Sequence, residues 1–596
     1  MNLQSRLLML GGVSLGLVSA TACSLALELG DEIKCSTDDE CMYASGQGTC
    51  EAGVCRPPGS ASGDTEPGTS TDATSTTMTS TSMTTLTTGD TETDTVTSLD
   101  TSSSESTSGP VGCTVNTDCE MDQRCGATNE CVDLLTTECN AVAWPADRDN
   151  VIFIGSIMPT GQPFTNLVQP LENAVQLAVE DFNEETTLQG DRRVAWVRCD
   201  DTPGIAASEA AATHLVDNVG AAAIVGPIFS ETALDISQMI TIPGGTFLIT
   251  PTASAMSLAE LADDNLVWRT IPGDVYQSAA IVDRFRDLDM AGGVDNLLIL
   301  AKNDAYGNGV LSAILDDLDA DLPAVTQTTY ANPTMFDTQE EMLASYGATL
   351  ASVAGDGPFS HVLFIGTSEI QVLLYSYLGV LWDGMPQNMP LFTVTHGAVP
   401  EMERFINEIG PGTGTAALEP AKPLIEANLE GTSPVVLNPV NFDAFSIRYR
   451  IRFNDEEPLT SSALSYDATL ATLFAACTVP ADEEITGAAI AAAMPSLVDG
   501  DTFVSFSGSN LSFISTARNA LVIEGGTVDL QGVSGELEWD VATGDVRADV
   551  WGWEIYDMTM DGSDPSAIPP RIYCLDPEPA TVGSWEGPEA PPASCG

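Results

Sequence analysis

The chain has 596 residues and a formal net charge of -65, from 85 Asp and Glu against 20 Lys and Arg. It is too long for one ordinary domain, so several modules in series are expected. The acidic balance leaves no basic patch that could neutralise phosphates, which argues against a nucleic-acid-binding protein. Acids on solvated faces favour solubility and by themselves imply no specific partner.

The amino terminus has the pattern of an export signal over residues 1–22. A short basic start precedes the apolar run LLMLGGVSLGLVSATAC, and small residues lead directly into Cys23. This pattern resembles the bacterial lipoprotein signal, although Ala20 stands where Leu is more usual. We predict that Cys23 is lipidated; the alternative is ordinary cleavage with Cys23 in a disulfide. No later stretch reaches the ~20 apolar residues of a spanning helix, so we expect an exported protein, anchored to the bacterial cell envelope through lipid alone, in the periplasm or at the outer-membrane surface.

Two segments, 23–58 and 112–147, are rich in cysteine, and each is predicted to be a small module held by disulfides. The phrases TDDECMYASGQGTCEAGVC and NTDCEMDQRCGATNECV resemble each other, which suggests a duplicated element. Zinc binding is the alternative, but neither segment contains His or a C-x2-C pair, so we favour disulfides of open connectivity. The candidates are Cys35, Cys41, Cys50, Cys55, Cys113, Cys119, Cys125 and Cys131.

The segment between these modules, residues 59–111, is predicted to be a disordered linker. It is rich in Thr, Ser, Gly and Asp and has almost no large apolar side chains, so burial cannot offset its conformational entropy. As a flexible coil of roughly 50 residues it would span on the order of 40 Å.

Five further cysteines follow, and they are Cys139, Cys199, Cys477, Cys574 and Cys595. Cys574 and Cys595 flank a Pro-rich tail, residues 573–596, and a disulfide between them would tie this tail down. Cys199 in a strand and Cys477 in a helix have apolar neighbours, and we interpret both as buried structural thiols. If one of the 14 cysteines carries lipid, an odd number remains, so at least one is unpaired or bonded between chains.

From about residue 148 to 572, strand and helix patterns alternate, which predicts an α/β domain with parallel sheets and crossover helices. The first units are VIFIGSIMP, ENAVQLAVEDFNEE, RRVAWVRCDD, VGPIFSETALDIS and TFLITPTAS. Later units are a helix over 276–290, a strand over 296–304, a helix over 307–318, strands over 361–367 and 389–397, helices over 441–453 and 464–477, and a β-rich stretch over 532–557. Two successive α/β lobes fit this pattern better than one continuous sheet.

Together these segments resemble the type I periplasmic binding protein family, in its branch that binds Leu, Ile and Val. The order and spacing of VGPIFSETALDIS, ITPTAS, VWRTIPGDVYQ, KNDAYGNG, SYDATLATLFA and GELEWDVATGD carry the resemblance. It implies two Rossmann-like lobes, joined by three crossovers, that close on a ligand between them. Lobe one would comprise 148–272 and 437–535, and lobe two 273–436 and 536–572.

Hydroxyl residues follow two strands of lobe one, at the edge where an open α/β sheet meets its ligand. The resemblance implies that Ser230, Thr252 and Ser254 hold a ligand carboxylate through hydroxyl and backbone groups. The residues agree with this, because Ser230 opens a helix whose free N–H groups favour an anion. Without the resemblance, Ser230 is an N-cap and the other two are ordinary loop residues.

Lobe two departs from the family's ligand-binding residues. The aromatic contact of the family falls at Thr367, and the acid that pairs with a ligand ammonium falls at His396, whose imidazole cannot supply a negative charge. A ligand with an acid group and a second polar or anionic group is therefore as well suited as an α-amino acid. Glu369 could supply the charge, but a solvated acid in the first helical turn is the favoured interpretation. Tyr306 either covers the apolar part of the ligand or packs at a strand end.

The remaining polar residues predict neither catalysis nor a cofactor. Asp200 and Asp201 are consecutive after a strand, point to opposite faces and are interpreted as structural. His214, His361 and His396 are far apart in sequence, so no metal site is predicted. The sequence contains no nucleophile elbow, phosphate loop or zinc-protease signature, and we expect a non-enzymatic protein.

These features predict an extracytoplasmic solute-binding lipoprotein. We expect the two lobes to close on a small polar ligand that bears a carboxylate, and the protein to deliver this ligand to a separate ABC-type permease. The alternatives are a component of a receptor that reports occupancy to a membrane sensor, and an adhesion or scaffold protein with a degenerate cleft. The linker and the Cys-rich modules favour sensing somewhat, because a simple transport carrier has no evident use for them.

Overall fold

The computed structural model divides the chain into two units, residues 1–110 and 111–596. In the first unit it gives the backbone of short strand segments between residues 42 and 56. The signal, the lipidation site at Cys23, the candidates Cys35 and Cys41 and the linker over 59–111 lie outside the described residues. In the second unit the described residues are 112–161, 164–202, 204–318, 324–336, 338–395, 399–409, 416–434, 437–507, 510–523, 525–557, 565–576, 582–587 and 595.

The first unit contains two small antiparallel strand pairs. Met42–Tyr43 pairs with Gly46–Gln47, and Thr49–Glu51 pairs with Val54–Arg56. The second pair sets Cys50 opposite Cys55 in the register. Because the two strands are antiparallel and these residues are opposite each other, the predicted disulfide cysteines Cys50 and Cys55 lie in one hairpin.

The second Cys-rich module is held by two disulfides. Cys113 is bonded to Cys125, and Cys119 to Cys131. Sulfur atoms of three of these residues lie within 4.8 Å of one another, but all four are oxidised, so none offers the thiolate that zinc requires. The prediction of disulfides in this module is confirmed, and its connectivity is first to third and second to fourth.

Arg148 fastens this module to the α/β domain that follows. Its guanidinium donates to the carbonyl oxygens of Asn116 and Glu120 at 3.2 and 2.8 Å, and it lies 4.5 Å from the ring centroid of Trp144. The indole N–H of Trp144 in turn donates to the Met121 carbonyl at 2.7 Å. The module and the domain therefore fold as one unit.

The first lobe is built on a six-stranded sheet with five parallel strands and one antiparallel edge strand. Phe153 and Ile157 point into one hydrophobic core, whereas Ile154 and Met158 point into another. Both faces are thus buried, which explains why the strands read as continuous apolar runs. In spatial order the strands are Val267–Arg269, Phe247–Thr250, Ala223–Val225, Val151–Met158, Arg193–Asp200 and Cys139–Ala143.

The second lobe is built on an eight-stranded sheet. Its first five strands are parallel, and its last three are antiparallel and come from the end of the chain. In spatial order the strands are Val325–Tyr330, Leu297–Lys302, His361–Ile365, Leu391–Val394, Leu429–Ser433, Val550–Asp557, Pro565–Leu575 and Gly583–Glu586. Two-stranded pairs complete the domain, and they are Thr502–Ser505 with Val528–Gln531 and Trp539–Asp540 with Asp545–Val546.

The helices that the sequence predicts are present, with ends shifted by a few residues. The helix predicted over 276–290 is Asp274–Met290, and the helix predicted over 464–477 is Ser462–Cys477, which is buried at all of its 16 positions because it is rich in Ala, Ser and Thr. Among helices of the described residues, none is long and apolar enough to cross a membrane. The other α-helices of six residues or more in the described ranges are Thr165–Glu185, Ile205–Thr213, Ser230–Ile236, Ala305–Asp317, Gln339–Ser352, Ile370–Val380, Val399–Glu408, Lys422–Ala427, Pro439–Arg452, Gly487–Ala493 and Ser512–Arg518.

One glycine shapes the loop that precedes Ser230. Gly226 follows the strand Ala223–Val225 with a φ of 109°, a backbone conformation that side chains disfavour. A Cβ atom at this position would stand 2.3 Å from the carbonyl oxygen of Ile157 in the neighbouring strand. Only glycine allows this close approach, which directs the following loop across the end of the sheet.

The structure corrects one of the cysteine interpretations. Cys199 is not a thiol but forms a disulfide with Cys139, because the antiparallel edge strand places these residues opposite each other. This pairing spans 60 residues and leaves no local pattern in the sequence. Cys477 is a buried free thiol, and Cys574 is bonded to Cys595, as predicted.

Candidate ligand-binding cleft

The two lobes meet at the carboxyl ends of their parallel strands. Helix Ser230–Ile236 of the first lobe contacts helix Ala305–Asp317 of the second, and the short turn Met256–Leu258 contacts the second helix as well. This edge of an open α/β sheet is the usual ligand site. The predicted residues Ser230, Ser254 and Tyr306 are all on segments that reach it.

A hydrogen bond joins Ser230 to the loop that carries Ser254. The Ser230 hydroxyl oxygen accepts from the backbone N–H of Ala255 at 3.2 Å. Ser230 and Ser254 are 6 % and 7 % exposed, and within the described part of the chain the Ser230 hydroxyl proton has no acceptor. Ser230 is the first helical residue and Phe229 is the N-cap, so the interpretation of Ser230 as an N-cap is wrong. Its hydroxyl is therefore placed to donate to a ligand.

Thr252 ties the two loops of the first lobe together. Its hydroxyl donates to the carbonyl oxygen of Ile228 at 2.9 Å, and the Thr250 hydroxyl donates to that of Pro227 at 2.6 Å. The proton of Thr252 is thus committed within the lobe. Its oxygen lone pairs and its backbone remain for a ligand.

Asp274 is a site residue that the sequence reasoning did not single out. Its backbone N–H donates to the carbonyl oxygen of Ser254 at 2.9 Å, and the Ser254 hydroxyl is close enough to its carboxyl to favour the ionised form of Asp274. The side chain is 1 % exposed, yet Oδ2 has no hydrogen-bond partner among the described residues. Burial raises the pKa of Asp274 to about 7, although the Ser254 hydrogen bond and the charge of Arg269 oppose this. The signal for it was an acid in the apolar crossover VWRTIPGDVYQ.

Tyr306 is held by the strand end that precedes His396. Its hydroxyl donates to Thr395 Oγ1 at 2.9 Å, and burial raises the pKa of Tyr306 well above its usual value. The side-chain amide of Gln277 donates to the carbonyl oxygen of Thr395 at 2.7 Å. Thr395 therefore links the Tyr306 ring to the helix Asp274–Met290. His396 itself lies outside the described residues.

Lys302 gives the second lobe a buried cation at the end of a strand. It is 4 % exposed, and its ammonium lies 3.0 Å from Asp304 Oδ2, 3.3 Å from Thr367 Oγ1 and 5.6 Å from the centroid of the Tyr306 ring. Burial works against the charged form, but the carboxylates of Glu369 and Asp304 outweigh it and raise the pKa of Lys302. Thr367, the predicted contact, thus lies beside a charge that the sequence reasoning overlooked.

Glu369 is not the solvated helix acid that the sequence favoured. It is 4 % exposed, and its carboxylate accepts from Tyr330 Oη at 2.8 Å and from Thr367 N and Oγ1 at 3.0 and 2.6 Å. Burial opposes ionisation, but the charge of Lys302 and the Thr367 hydrogen bonds outweigh it and lower the pKa of Glu369. Both oxygens have partners within the lobe, so Glu369 supports Lys302 and Thr367.

Asp200 and Asp201 have separate structural partners. Asp200 Oδ1 accepts from the backbone N–H groups of Thr160 and Thr202 at 3.0 and 2.9 Å. Asp201 Oδ2 accepts from the Ser208 hydroxyl at 2.8 Å. Each carboxylate orders a loop or a helix start of the first lobe, in agreement with the structural interpretation.

A buried ion pair joins the strand Val267–Arg269 to the strand Asp545–Val546. Arg269 Nε donates to Asp545 Oδ1 at 2.5 Å, and both side chains are almost fully buried. Arg269 Nη1 donates to the carbonyl oxygen of Ala255 at 2.8 Å, and the Arg269 carbonyl accepts from Trp539 Nε1 at 2.7 Å. The guanidinium of Arg269 therefore holds both the strand that begins at Asp545 and the loop that contains Ala255.

The cleft therefore offers distinct groups on its two sides. The first lobe presents a hydroxyl donor at Ser230. The helix Asp274–Met290 begins with a carboxyl oxygen, Asp274 Oδ2, that has no hydrogen-bond partner in the part of the chain that the structure describes. The second lobe adds the Tyr306 ring and the Lys302 ammonium, whose third N–H has no acceptor in the described ranges. Such an arrangement can hold a small molecule with an anionic group at one end and a cation or a hydrogen-bond donor at the other.

Part of the chain is similar to known proteins. Residues 151–361 match a family model described as periplasmic binding protein. The chemotactic signal transduction system substrate-binding protein BasB of Halobacterium salinarum is 28 % identical over 219 residues, which cover 36 % of this chain and 52 % of that protein. The Leu/Ile/Val-binding protein BraC3 of Rhizobium johnstonii is 27 % identical over 173 residues, 28 % of this chain and 44 % of that protein. The chain thus spans about half the length of these curated relatives.

A solved structure supports the fold over both lobes. The crystal structure of a possible leucine/isoleucine/valine-binding protein from Rhodopirellula baltica aligns with a TM-score of 0.51 at 16 % identity. The alignment covers 71 % of this chain and 97 % of that one. The match over residues 151–361, the relatives and the two sheets agree: this chain has a two-lobed fold similar to that of periplasmic binding proteins, and its relatives include a Leu/Ile/Val-binding protein.

Proposed function

We propose that this protein is an extracytoplasmic solute-binding lipoprotein that captures a small carboxylate-bearing ligand between its lobes and delivers it to an ABC-type transporter. One observation carries the proposal. The Ser230 hydroxyl oxygen and the Asp274 backbone N–H are both hydrogen-bonded to the loop Ser254–Ala255. Among the described residues, the Ser230 hydroxyl proton and the buried Asp274 Oδ2 have no hydrogen-bond partner. Unpaired polar groups at such burial are costly unless a partner satisfies them.

The ligand carboxylate would lie on the first lobe. It would accept from Ser230 and from backbone N–H groups at the start of the helix Ser230–Ile236. Tyr306, Thr367 and His396 of the second lobe would cover the rest of the ligand when the lobes close. The ligand favours the closed state only if it binds the two lobes together more tightly than it binds one lobe of the open state.

The ammonium group of an amino-acid ligand needs a negative charge nearby, and Asp274 could supply the charge that His396 cannot. An ionised carboxylate beside Ser254 supplies the negative charge that an ammonium group needs, and Oδ2 is the free acceptor. An α-amino acid is therefore the ligand class that the cleft suits best. A hydroxy acid is the second class, since its hydroxyl could donate to the same oxygen.

The names of the two relatives point to different roles for the protein after it has bound its ligand. BraC3 is described as a Leu/Ile/Val-binding protein, which favours amino-acid capture, and BasB as a chemotactic signal transduction substrate-binding protein, which favours sensing. Sensing is thus the second candidate, and the linker over 59–111 and the Cys-rich modules favour it. In either case the protein would be non-enzymatic and anchored to the cell envelope through Cys23.

A thermal-shift screen of the full chain in oxidised form tests ligand capture. The panel contains L-leucine, L-glutamate, succinate, 4-hydroxybenzoate, acetamide and a dipeptide, together with the α-hydroxy analogue of leucine. A ligand at about a hundred times its dissociation constant stabilises the native state by ~2.7 kcal/mol. Stabilisation by carboxylates alone supports the proposal, and preference for the amino over the hydroxy acid supports the role of Asp274. No stabilisation across the panel would favour the scaffold alternative.

A further inference from the structure

The helix Pro439–Arg452 of the first lobe has an apolar stripe that faces solvent. Val440, Ile447 and Ile451 are 65, 58 and 80 % exposed, whereas Phe445 and Tyr449 on the other side of the helix are fully buried. Spacings of seven and four residues place the exposed three on one side of a helix. The helix already packs through its buried side, so the fold does not need this stripe.

The stripe is exceptional for so acidic a chain. A solvated helix face is better served by Glu or Lys, because β-branched residues are poorer helix formers and expose apolar area. Asp443 is the only acid in the helix Pro439–Arg452. The segment 447–453, IRYRIRF, contributes three of the 20 basic residues of the protein. Arg448 pairs with Asp181 and Arg452 with Glu180. These two guanidinium groups therefore neutralise neighbouring acids and lower the local negative charge that would repel a second copy.

We propose that this face pairs with the same face of a second copy, as two antiparallel helices about a two-fold axis near Ile447. A two-fold interface is self-complementary, so each residue meets its counterpart across the axis. In this register Ile447 meets Ile447 of the second copy, Val440 meets Asn454, and Asp443 meets Arg450. The two Ile447 side chains bury each other, and Asp443 of each copy faces Arg450 of the other.

The charges select the antiparallel arrangement. Asp443 lies in the first half of the helix and Arg450 in the second, so a parallel pair would set like charges together. Arg450 approaches Glu457 at 3.2 Å, but these side chains are 46 % and 69 % exposed. An exposed pair of this kind contributes little, and the guanidinium is able to turn toward a second carboxylate.

The dimer is weak and concentration-dependent. One helix pair buries less than the roughly 1,200 Å² of a standard protein interface, and two chains of net charge -65 repel each other. Salt screens this long-range repulsion, while the apolar contact persists. Association therefore increases with ionic strength, the opposite of an interface held by charge alone.

Sedimentation equilibrium of the full chain in about 0.5 M NaCl, where the Debye length is about 4 Å, tests the proposal. The weight-average mass of the natural protein rises with concentration toward that of a dimer, and Ile447→Glu abolishes this rise. The control is Ile523→Glu, since Ile523 is 71 % exposed on another helical segment, Asn519–Ile523. It leaves the dimer unchanged, and circular dichroism establishes that each variant is folded.

A charge exchange separates this dimer from any other association. Asp443→Arg and Arg450→Asp each weaken the dimer at least about fivefold, because each sets like charges together. The double variant restores the affinity of the natural protein. The proposal is overturned by a natural protein that stays monomeric at every concentration and salt, by an Ile447→Glu variant that still associates, or by a double variant that does not recover.

Discussion

Replacing Asp274 with Asn tests the carboxyl that lies between the ligand loop and the second lobe. In the native state burial raises its pKa to about 7, whereas an unfolded Asp titrates near ~3.9. Between these values the native state holds a proton that the unfolded state has lost, so the free energy of unfolding falls as the pH rises. From pH 5 to pH 8 this amounts to two pH units at 1.36 kcal/mol each, about 2.7 kcal/mol.

Asn keeps the shape of the side chain but cannot ionise. Relative to the natural protein, the Asp274→Asn variant should therefore gain about 2.7 kcal/mol of unfolding free energy between pH 5 and pH 8. Urea unfolding of both full chains at half-unit pH steps, followed by tryptophan fluorescence, measures this difference. Other buried acids, such as Asp201 and Asp467, titrate in both proteins and cancel. Parallel pH profiles would refute the reasoning.

The same substitution should weaken amino-acid binding. An ammonium group left in the cleft without its carboxylate costs ~3 kcal/mol, which corresponds to a loss of about a hundredfold in affinity. In the natural protein the affinity for an amino acid should rise with pH up to about 7, because only the ionised Asp274 attracts the ammonium. A purely structural carboxyl would change stability and leave the pH dependence of binding unaltered.

Three further outcomes are expected. Thr395→Val removes the acceptor of the Tyr306 hydroxyl and should weaken ligand binding by about tenfold in calorimetry, whereas Thr395→Ser retains affinity. Changing Cys139 and Cys199 together to Ala opens a loop of 60 residues and should lower the free energy of unfolding by about 4 kcal/mol in denaturant titrations; an unchanged midpoint would contradict the pairing. Arg148→Ala should leave ligand affinity intact but increase hydrogen exchange in the second Cys-rich module, and equal protection would show that other contacts hold it.

The sheets could be predicted because buried parallel strands have a strong local signature. The strand ending at Lys302 reads LLILAK and the helix that ends at Cys477 has the expected length, so their order along the chain already indicates two lobes. The placement of Ser230 and Ser254 after neighbouring strands follows from the same topology. Parallel strands end at one edge of a sheet, which brings together loops that are distant in sequence.

The disulfide between residues distant in sequence and the burial of charged side chains could not be predicted from local sequence patterns. Cys199 seemed a thiol because its partner Cys139 lies on a strand that joins the sheet from outside the βα pattern. Glu369 seemed solvated because its helix position is typical of an exposed acid, whereas the ammonium of Lys302 allows it to be buried. Asp274 belongs to a crossover, where the environment is set by both lobes together, and only the folded chain reveals its unpartnered oxygen.

Isothermal titration of the full chain with the carboxylate that the thermal-shift panel identifies tests the central claim most directly. We expect one ligand per chain, and an affinity at least about a hundredfold lower for the double variant Ser230→Ala and Ser254→Ala. That variant should melt only slightly lower, since the N–H of Ala255 loses its acceptor. Ser237→Ala is the matched control, because its buried hydroxyl donates to the Ala233 carbonyl at 2.5 Å within the same helical segment. Undiminished binding by the double variant would contradict the assignment of the cleft.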